Sequence, residues 1–354
     1  MTVGGRDLLD VHGRALGWAE SILGPLTLLP SPRSGSYNDH LWVRTRLGRE
    51  AIIRVKRTGV RELDSRPLPE FEVLATIFRE PQMSAHLAEP IAQDAQSGFA
   101  LHSFVGDDSL NDVAPKEQPM AAHVLTSLPQ FMAQLADVRI EPDWHAAQAA
   151  FARSLGATDE ATTIELNVRS LLAVYRSLFA DNEHALRVLR MPSPSGLADL
   201  LRVSARPRRR VLIHGDIHRK NMRVSVDSPS WYLLDWEMAQ VGDAVYDLAV
   251  ALWKFKLTAA DRQRFLGSWA DAMPDEAIAG WESDLTRYID VERLKTACVH
   301  IYRTADALRK APPGKSGRVE LVWQWLSDRA AASDLLGEAA VDPDEALAAL
   351  ESVR

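Results

Sequence analysis

The chain has 354 residues, 46% of them hydrophobic and 25% charged, with a formal net charge of −7 and a pI near 5.8. That acidic balance argues against nucleic acid as the main partner, because phosphate binding leaves a basic footprint. The single cysteine, Cys298, excludes an intrachain disulfide and a cysteine-built zinc site. No stretch approaches 18 consecutive apolar residues and the N-terminus lacks a signal-peptide core, so a cytoplasmic protein without a membrane partner is expected.

In chain order, residues 6–23 carry a loose helical repeat of apolar positions that ends at Gly24-Pro25. Leu26 to Leu29 reads as a first strand. The polar stretch Ser31 to Asn38 then separates it from a second strand over Leu41–Thr45. Ala51–Arg57 is a third strand, whose period of two puts Ile52, Arg54 and Lys56 on one face and Ala51, Ile53 and Val55 on the other. A Pro-containing loop opens a helix at Glu70. Spacing of i, i+4, i+7 aligns Glu70 with Leu74 and Ile77 on the packed stripe, whereas Glu72 falls on another face.

Ala88–Ala92 and Gly98–Val105 read as paired strands. From about Lys116 the chain turns helical, first over Ala121–Val138 and then through most of 144–190. The run Arg206-Pro-Arg-Arg-Arg210 is expected to be a solvated turn. Segments 260–272, 276–310, 317–336 and 343–352 are also helical in pattern, with amphipathic faces suited to core packing.

The chemistry concentrates in Val211-Leu-Ile-His-Gly-Asp-Ile-His-Arg-Lys-Asn221. A short apolar strand runs into a polar loop that sets Asp216 five residues before Asn221. Met222–Val226 and Trp231–Leu234, joined by the turn residues Asp227-Ser-Pro-Ser230, form a predicted hairpin. Such a hairpin returns Asn221 and Asp235 to one end of two paired strands. A carboxamide oxygen and a carboxylate there suit a magnesium ion held mostly by phosphates and water. Asp216 faces the same space as a proton acceptor for a hydroxyl, the layout that phosphoryl transfer needs.

His214-Gly-Asp-Ile-His-Arg-Lys-Asn221, Leu234-Asp-Trp-Glu237 and Gly242-Asp-Ala-Val-Tyr-Asp-Leu-Ala249 together resemble the aminoglycoside phosphotransferase and choline kinase superfamily. The resemblance implies an α+β, bilobal, protein-kinase-like fold. A small antiparallel-sheet N-lobe would span residues 1–104, and a helix-rich C-lobe residues 105–354. It implies ATP and Mg2+ as cofactors and a small-molecule hydroxyl acceptor, such as an aminoglycoside, another antibiotic or an amino sugar, on a monomer or homodimer.

By the same resemblance Asp216 is the catalytic base, and Asn221 and Asp235 hold the metal. Arg54, aligned with the kinase V-A-I-K lysine, holds nucleotide phosphates with Glu70 as its partner, and Lys56 competes for that role. Gly35, Ser36 and Asn38 fit the phosphate-covering loop, and backbone groups from Ser103 to Val105 fit the adenine-binding hinge. Glu237 is placed either at the acceptor pocket or in solvent. Asp243 and Asp247 brace the catalytic loops, and His214 supports them by hydrogen bonding. The loop departs from the common family form in having Arg219-Lys220 where a Pro-Gly-like pair is usual. A nucleotide-binding pseudokinase and a protein kinase are the alternatives. The first has no need of all three acidic and amide positions, and the second lacks an A-P-E segment and an activation-loop insert.

Overall fold

The computed structural model describes residues 4–30, 38–57, 67–202, 204–225, 229–311, 315–337 and 339–353. Helix α1 (Gly4–Leu23) leads into a five-stranded antiparallel sheet. Its strands are β1 (Leu26–Leu28), β2 (Asn38–Thr45), β3 (Glu50–Lys56), β4 (Pro90–Asp94) and β5 (Phe99–Ser103), in spatial order β1-β2-β3-β5-β4. The loop with Gly35 and Ser36 lies outside the described residues. Asn38 opens β2 directly opposite Lys56.

Alternation along β3 decides what the sheet shows to each side. Ala51, Ile53 and Val55 are buried with Val43, Phe99 and Leu101, and Ala15 and Ala19 of α1 complete that small core. Ile52 and Arg54 therefore look the other way. Helix α2 (Glu70–Ile77) does not join the sheet's core. Its buried residues Val73, Leu74 and Ile77 belong to the large core, together with Leu87, Leu125 and Trp236. The second face of β3 thus meets a helix anchored in the other lobe.

The remainder is helical: α3 (Ala122–Asp137), α4 (Thr163–Val188), α5 (Ala244–Phe255), α6 (Ala259–Ala272), α7 (Trp281–Lys310), α8 (Lys315–Ala330) and α9 (Pro343–Ser352), with shorter helices between. Among the described residues no helix is long and apolar enough to cross a membrane. Two small ribbons interrupt the helices. The predicted hairpin is present as β7 (Met222–Val224) against β8 (Trp231–Leu233), with Met222 opposite Leu233. The first apolar strand, β6 (Val211–Ile213), pairs with β9 (Gln240–Gly242). Gln240–Gly242 carries no strand signal, because three residues are too few to show an alternation. Gly242 is needed there, since an added Cβ would press on Thr163 Oγ1 and Ile213.

The arginine run is a solvated turn only in part: Arg206 and Arg209 are exposed, as the sequence leads one to expect, but Arg208 is not. The Arg208 side chain is fully buried: Nη1 meets Asp243 Oδ2 at 2.8 Å and Nη2 meets Asp284 Oδ2 at 2.5 Å. Arg209 pairs with Glu276 at 2.5 Å, and Arg210 donates to the carbonyl of Ala161. Arg208, Arg209 and Arg210 each have an acceptor, so they stitch the segment before β6 to the helices around it. Sequence cannot show this, because all three acceptor sets are distant in the chain.

Candidate active site

The loop that carries Asp216 begins where β6 stops, and its path is set by Gly215. This residue has φ +80°, and a Cβ would collide with the carbonyl oxygen of Met238. Only glycine accepts both the left-handed backbone and that approach. Asp247, in the first turn of α5, then grips the loop from below: Oδ2 accepts the His214 N–H at 2.7 Å and Oδ1 the Gly215 N–H at 2.7 Å. Burial pushes Asp247 up to about 7, against the two N–H groups that favour its charge. Asp247→Asn keeps one acceptor oxygen and loses the other. It is expected to cost about 1–3 kcal/mol for the buried N–H left unsatisfied, read as a lower urea midpoint.

His214 is wholly buried beneath the loop. Its Nδ1 accepts the Asp216 N–H at 3.2 Å, so the Nε2 proton is the one donated to the Leu234 carbonyl at 3.0 Å. Burial holds the ring down at about 4, so both nitrogens are committed to structure in a neutral imidazole.

His218 caps the short 3-10 turn Arg219–Asn221. Its Nδ1 accepts from the Lys220 and Asn221 N–H groups at 3.1 and 3.3 Å, which leaves the proton on Nε2, 3.4 Å from Asp216 Oδ2. Arg219 explains how the loop manages without a Pro-Gly pair. It is buried, and its guanidinium donates to Phe255 O at 2.8 Å, to Gln118 O at 3.5 Å and to Ala114 O. The loop is thereby tied to the C-terminal end of α5, where carbonyls favour a cation.

Asp216 sits at the centre of these contacts. Lys254 of α5 meets its Oδ1, and Asn221 Nδ2 lies 3.3 Å from Oδ2 and 3.1 Å from its backbone carbonyl. Burial works to raise its carboxyl, but Lys254 and His218 outweigh burial and hold it well below the usual carboxylate range. Asp216 is therefore ionised at neutral pH. Lys254 escaped the sequence reading, although its signal exists: it lies seven residues after Asp247, on the same face of one helix.

Asn221 and Asp235 are brought together by the hairpin, since the Leu234 N–H donates to the Asn221 carbonyl at 2.8 Å. Asp235 adopts the left-handed conformation (φ 68°, ψ 65°), a position that aspartate tolerates better than most residues and that often marks a functional site. Burial raises its carboxyl. Arg54 opposes that rise, while Glu70 and Asp216 add to it.

The Asn221 amide nitrogen is turned to Asp216, so Oδ1 is the atom that would serve a cation. With the Asp235 carboxylate it makes a hard-oxygen donor pair that fits magnesium completed by phosphates and water. Among the described residues no three His, Cys, Asp or Glu side chains gather into an all-protein metal cage.

On the sheet side, Arg54 contacts Glu70 through Nη1 and Asp235 through Nη2 at 3.3 Å, with Glu237 Oε2 at 3.7 Å. Burial disfavours its charge, but Glu70, Asp235 and Glu237 outweigh this and raise its pKa. Lys56, two residues on, is exposed at the end of β3, so it is Arg54 that meets these carboxylates. Glu237 is buried and turned towards Arg54.

At the far end of β5 the Ser103 N–H is spent on the Glu89 carbonyl at 2.9 Å and its hydroxyl on the Glu89 N–H at 2.8 Å. The Phe104 N–H is spent on Glu50 O at 3.1 Å. Val105, followed by Gly106 at φ 107°, is the first position past these sheet bonds.

A two-lobed α+β fold with these loops at the junction is that of the kinase-like phosphotransferases. A profile of the phosphotransferase enzyme family matches residues 29–283, and the chain belongs to that family. It is by family a phosphotransferase. No curated protein matches it in sequence.

Solved structures of the same fold include the ethanolamine kinase of Plasmodium vivax, at 11% identity over 88% of this chain and 85% of that one, with a TM-score of 0.58. The amicoumacin kinase in complex with AMP-PNP and Ca2+ is 10% identical over 96% and 98%, with a TM-score of 0.51. Choline kinase LicA of Streptococcus pneumoniae is 15% identical over 91% and 99%, with a TM-score of 0.50. At such identities the likeness is one of fold.

Proposed function

We propose that the chain transfers the γ-phosphoryl group of ATP, with magnesium, to a hydroxyl of a small polar molecule: an aminoglycoside or other antibiotic, an amino sugar or a related metabolite. The single observation that carries this reading is the meeting of Asp216, Asn221, Asp235 and the Arg54–Glu70 pair at the lobe junction. Asp216 orients the acceptor hydroxyl and takes its proton, a role for which its ionised state is suited. Asn221 Oδ1 and the Asp235 carboxylate hold magnesium, which offsets phosphate charge when bound. Arg54, fixed by Glu70, would hold the nucleotide phosphates through its guanidinium. The backbone at Val105 meets the purine edge.

Acceptor-dependent ADP release with Mg-ATP tests the reading, over a panel of aminoglycosides, nucleoside antibiotics, amino sugars, choline and homoserine. Glu70→Gln is expected to raise the KM for ATP by roughly tenfold, the equivalent of about 1.4 kcal/mol, and to leave the acceptor KM in place. An equal rise in both constants would remove Glu70 from the phosphate site.

A further inference from the structure

Both oxygens of Asp216 are already engaged. Oδ1 takes the Lys254 ammonium, and Oδ2 faces His218 Nε2 at 3.4 Å and Asn221 Nδ2 at 3.3 Å. An arriving hydroxyl must therefore compete with these donors, and Lys254 is the only charged one at close range. His218 is fixed by two backbone N–H groups on its other nitrogen, and Asn221 is fixed by its bond to the Asp216 carbonyl. Lys254 alone of the three hangs on a long flexible stem.

A second position for that ammonium lies close by. Glu292 of α7 is completely buried, and its Oε1 accepts from Tyr246 Oη at 2.6 Å and Lys295 Nζ at 3.4 Å. Its Oε2 has no hydrogen-bond partner among the described residues and lies 4.0 Å from Lys254 Nζ. A buried carboxylate oxygen left in that state is unfavourable and attracts the nearest mobile cation.

Building on the reading of Asp216 as proton acceptor, we propose that Lys254 is a positioning residue that masks Asp216 until the acceptor arrives and then moves to Glu292 Oε2. Lys254 keeps its proton throughout. The hydroxyl proton passes to Asp216, the hydroxyl oxygen bonds to the γ-phosphorus, and the bond to the bridging oxygen breaks with its electron pair leaving on ADP. The masked state limits wasteful transfer to water, because Asp216 is free to take a proton only when Lys254 has moved.

Water is the probe for the test. Acceptor-free hydrolysis of Mg-ATP is measured as ADP release, and the folding of each variant is followed by thermal melting. Lys254→Met is expected to raise this rate by about tenfold, as removal of the mask makes the competent state the dominant one. Lys254→Arg keeps a cation at Oδ1 and gives no such gain. Glu292→Gln removes the second position and lowers the rate, and its effect vanishes in the Lys254→Met background, a non-additive cycle. Should Glu292→Gln fail to fold, the Met and Arg variants decide alone.

The mask is overturned if Lys254→Met leaves the rate unchanged or lowers it, or if Glu292→Gln acts equally in both backgrounds. Asp216→Asn added to Lys254→Met separates the two readings. A gain that survives it removes Asp216 as the proton acceptor. A gain that never appears, while hydrolysis still depends on Asp216, removes only the mask.

Discussion

Asp216→Asn is expected to lower kcat by about 10²- to 10⁴-fold, the usual share of a positioned general base, with the KM for ATP unchanged. The amide keeps the shape of the side chain and an oxygen for Lys254, but it takes no proton from a hydroxyl. A loss shared between kcat and the ATP KM would instead point to a collapsed loop.

The same substitution carries a signature in stability. The folded carboxyl is held below its ordinary value of about 3.9, so its contribution is present above that value and is lost as pH falls through the lower folded value. Without nucleotide or metal, the melting temperature of the wild type should exceed that of Asp216→Asn at pH 6. The gap should close as the pH falls below about 3.9. A gap that stays constant from pH 6 to pH 3 would mean that Lys254 and His218 do not stabilise the carboxylate.

Much of this site is legible in the chain because its parts are local. The spacing of Asp216 and Asn221, the hairpin that returns Asp235, and the face of β3 that carries Arg54 each follow from a few consecutive residues. Glu70 is legible for the same reason, as its i, i+4, i+7 partners Leu74 and Ile77 are among the buried residues of α2. What stays hidden depends on distant segments. β9 is too short to declare itself until β6 lies beside it. Arg219 reads as a departure from a loop pattern until Phe255, Ala114 and Gln118 supply its carbonyls. The choice between Arg54 and Lys56 is open in the strand pattern, since both share a face. Only the placement of α2 and Asp235 shows which of the two meets the carboxylates. Glu237 faces Arg54 because the short turn after Asp235 is wound by a left-handed residue, and no pattern of hydrophobicity reports a single backbone angle.

Arg208→Ala is expected to lower stability by about 3–5 kcal/mol, the usual consequence of removing one partner from a buried ion pair. The guanidinium is entirely out of solvent and bridges Asp243 and Asp284, with further bonds to Ala279 O at 2.9 Å and Gly280 O at 3.2 Å. Truncation leaves two buried carboxylates without their shared cation.

Asp243 is also the N-cap of α5, accepting the Val245 N–H at 2.9 Å and the Tyr288 hydroxyl at 2.7 Å. The helix that presents Asp247 and Lys254 to the catalytic loop therefore begins on the destabilised group. Urea unfolding checks this: the midpoint should fall with an unchanged slope, and Arg209→Ala, which removes an exposed pair with Glu276, should cost no more than about 1 kcal/mol. Adding Asp284→Asn to Arg208→Ala should recover part of the loss, because it deletes one of the uncompensated charges. Strict additivity of the two substitutions would show that Arg208 acts through packing rather than through its charge.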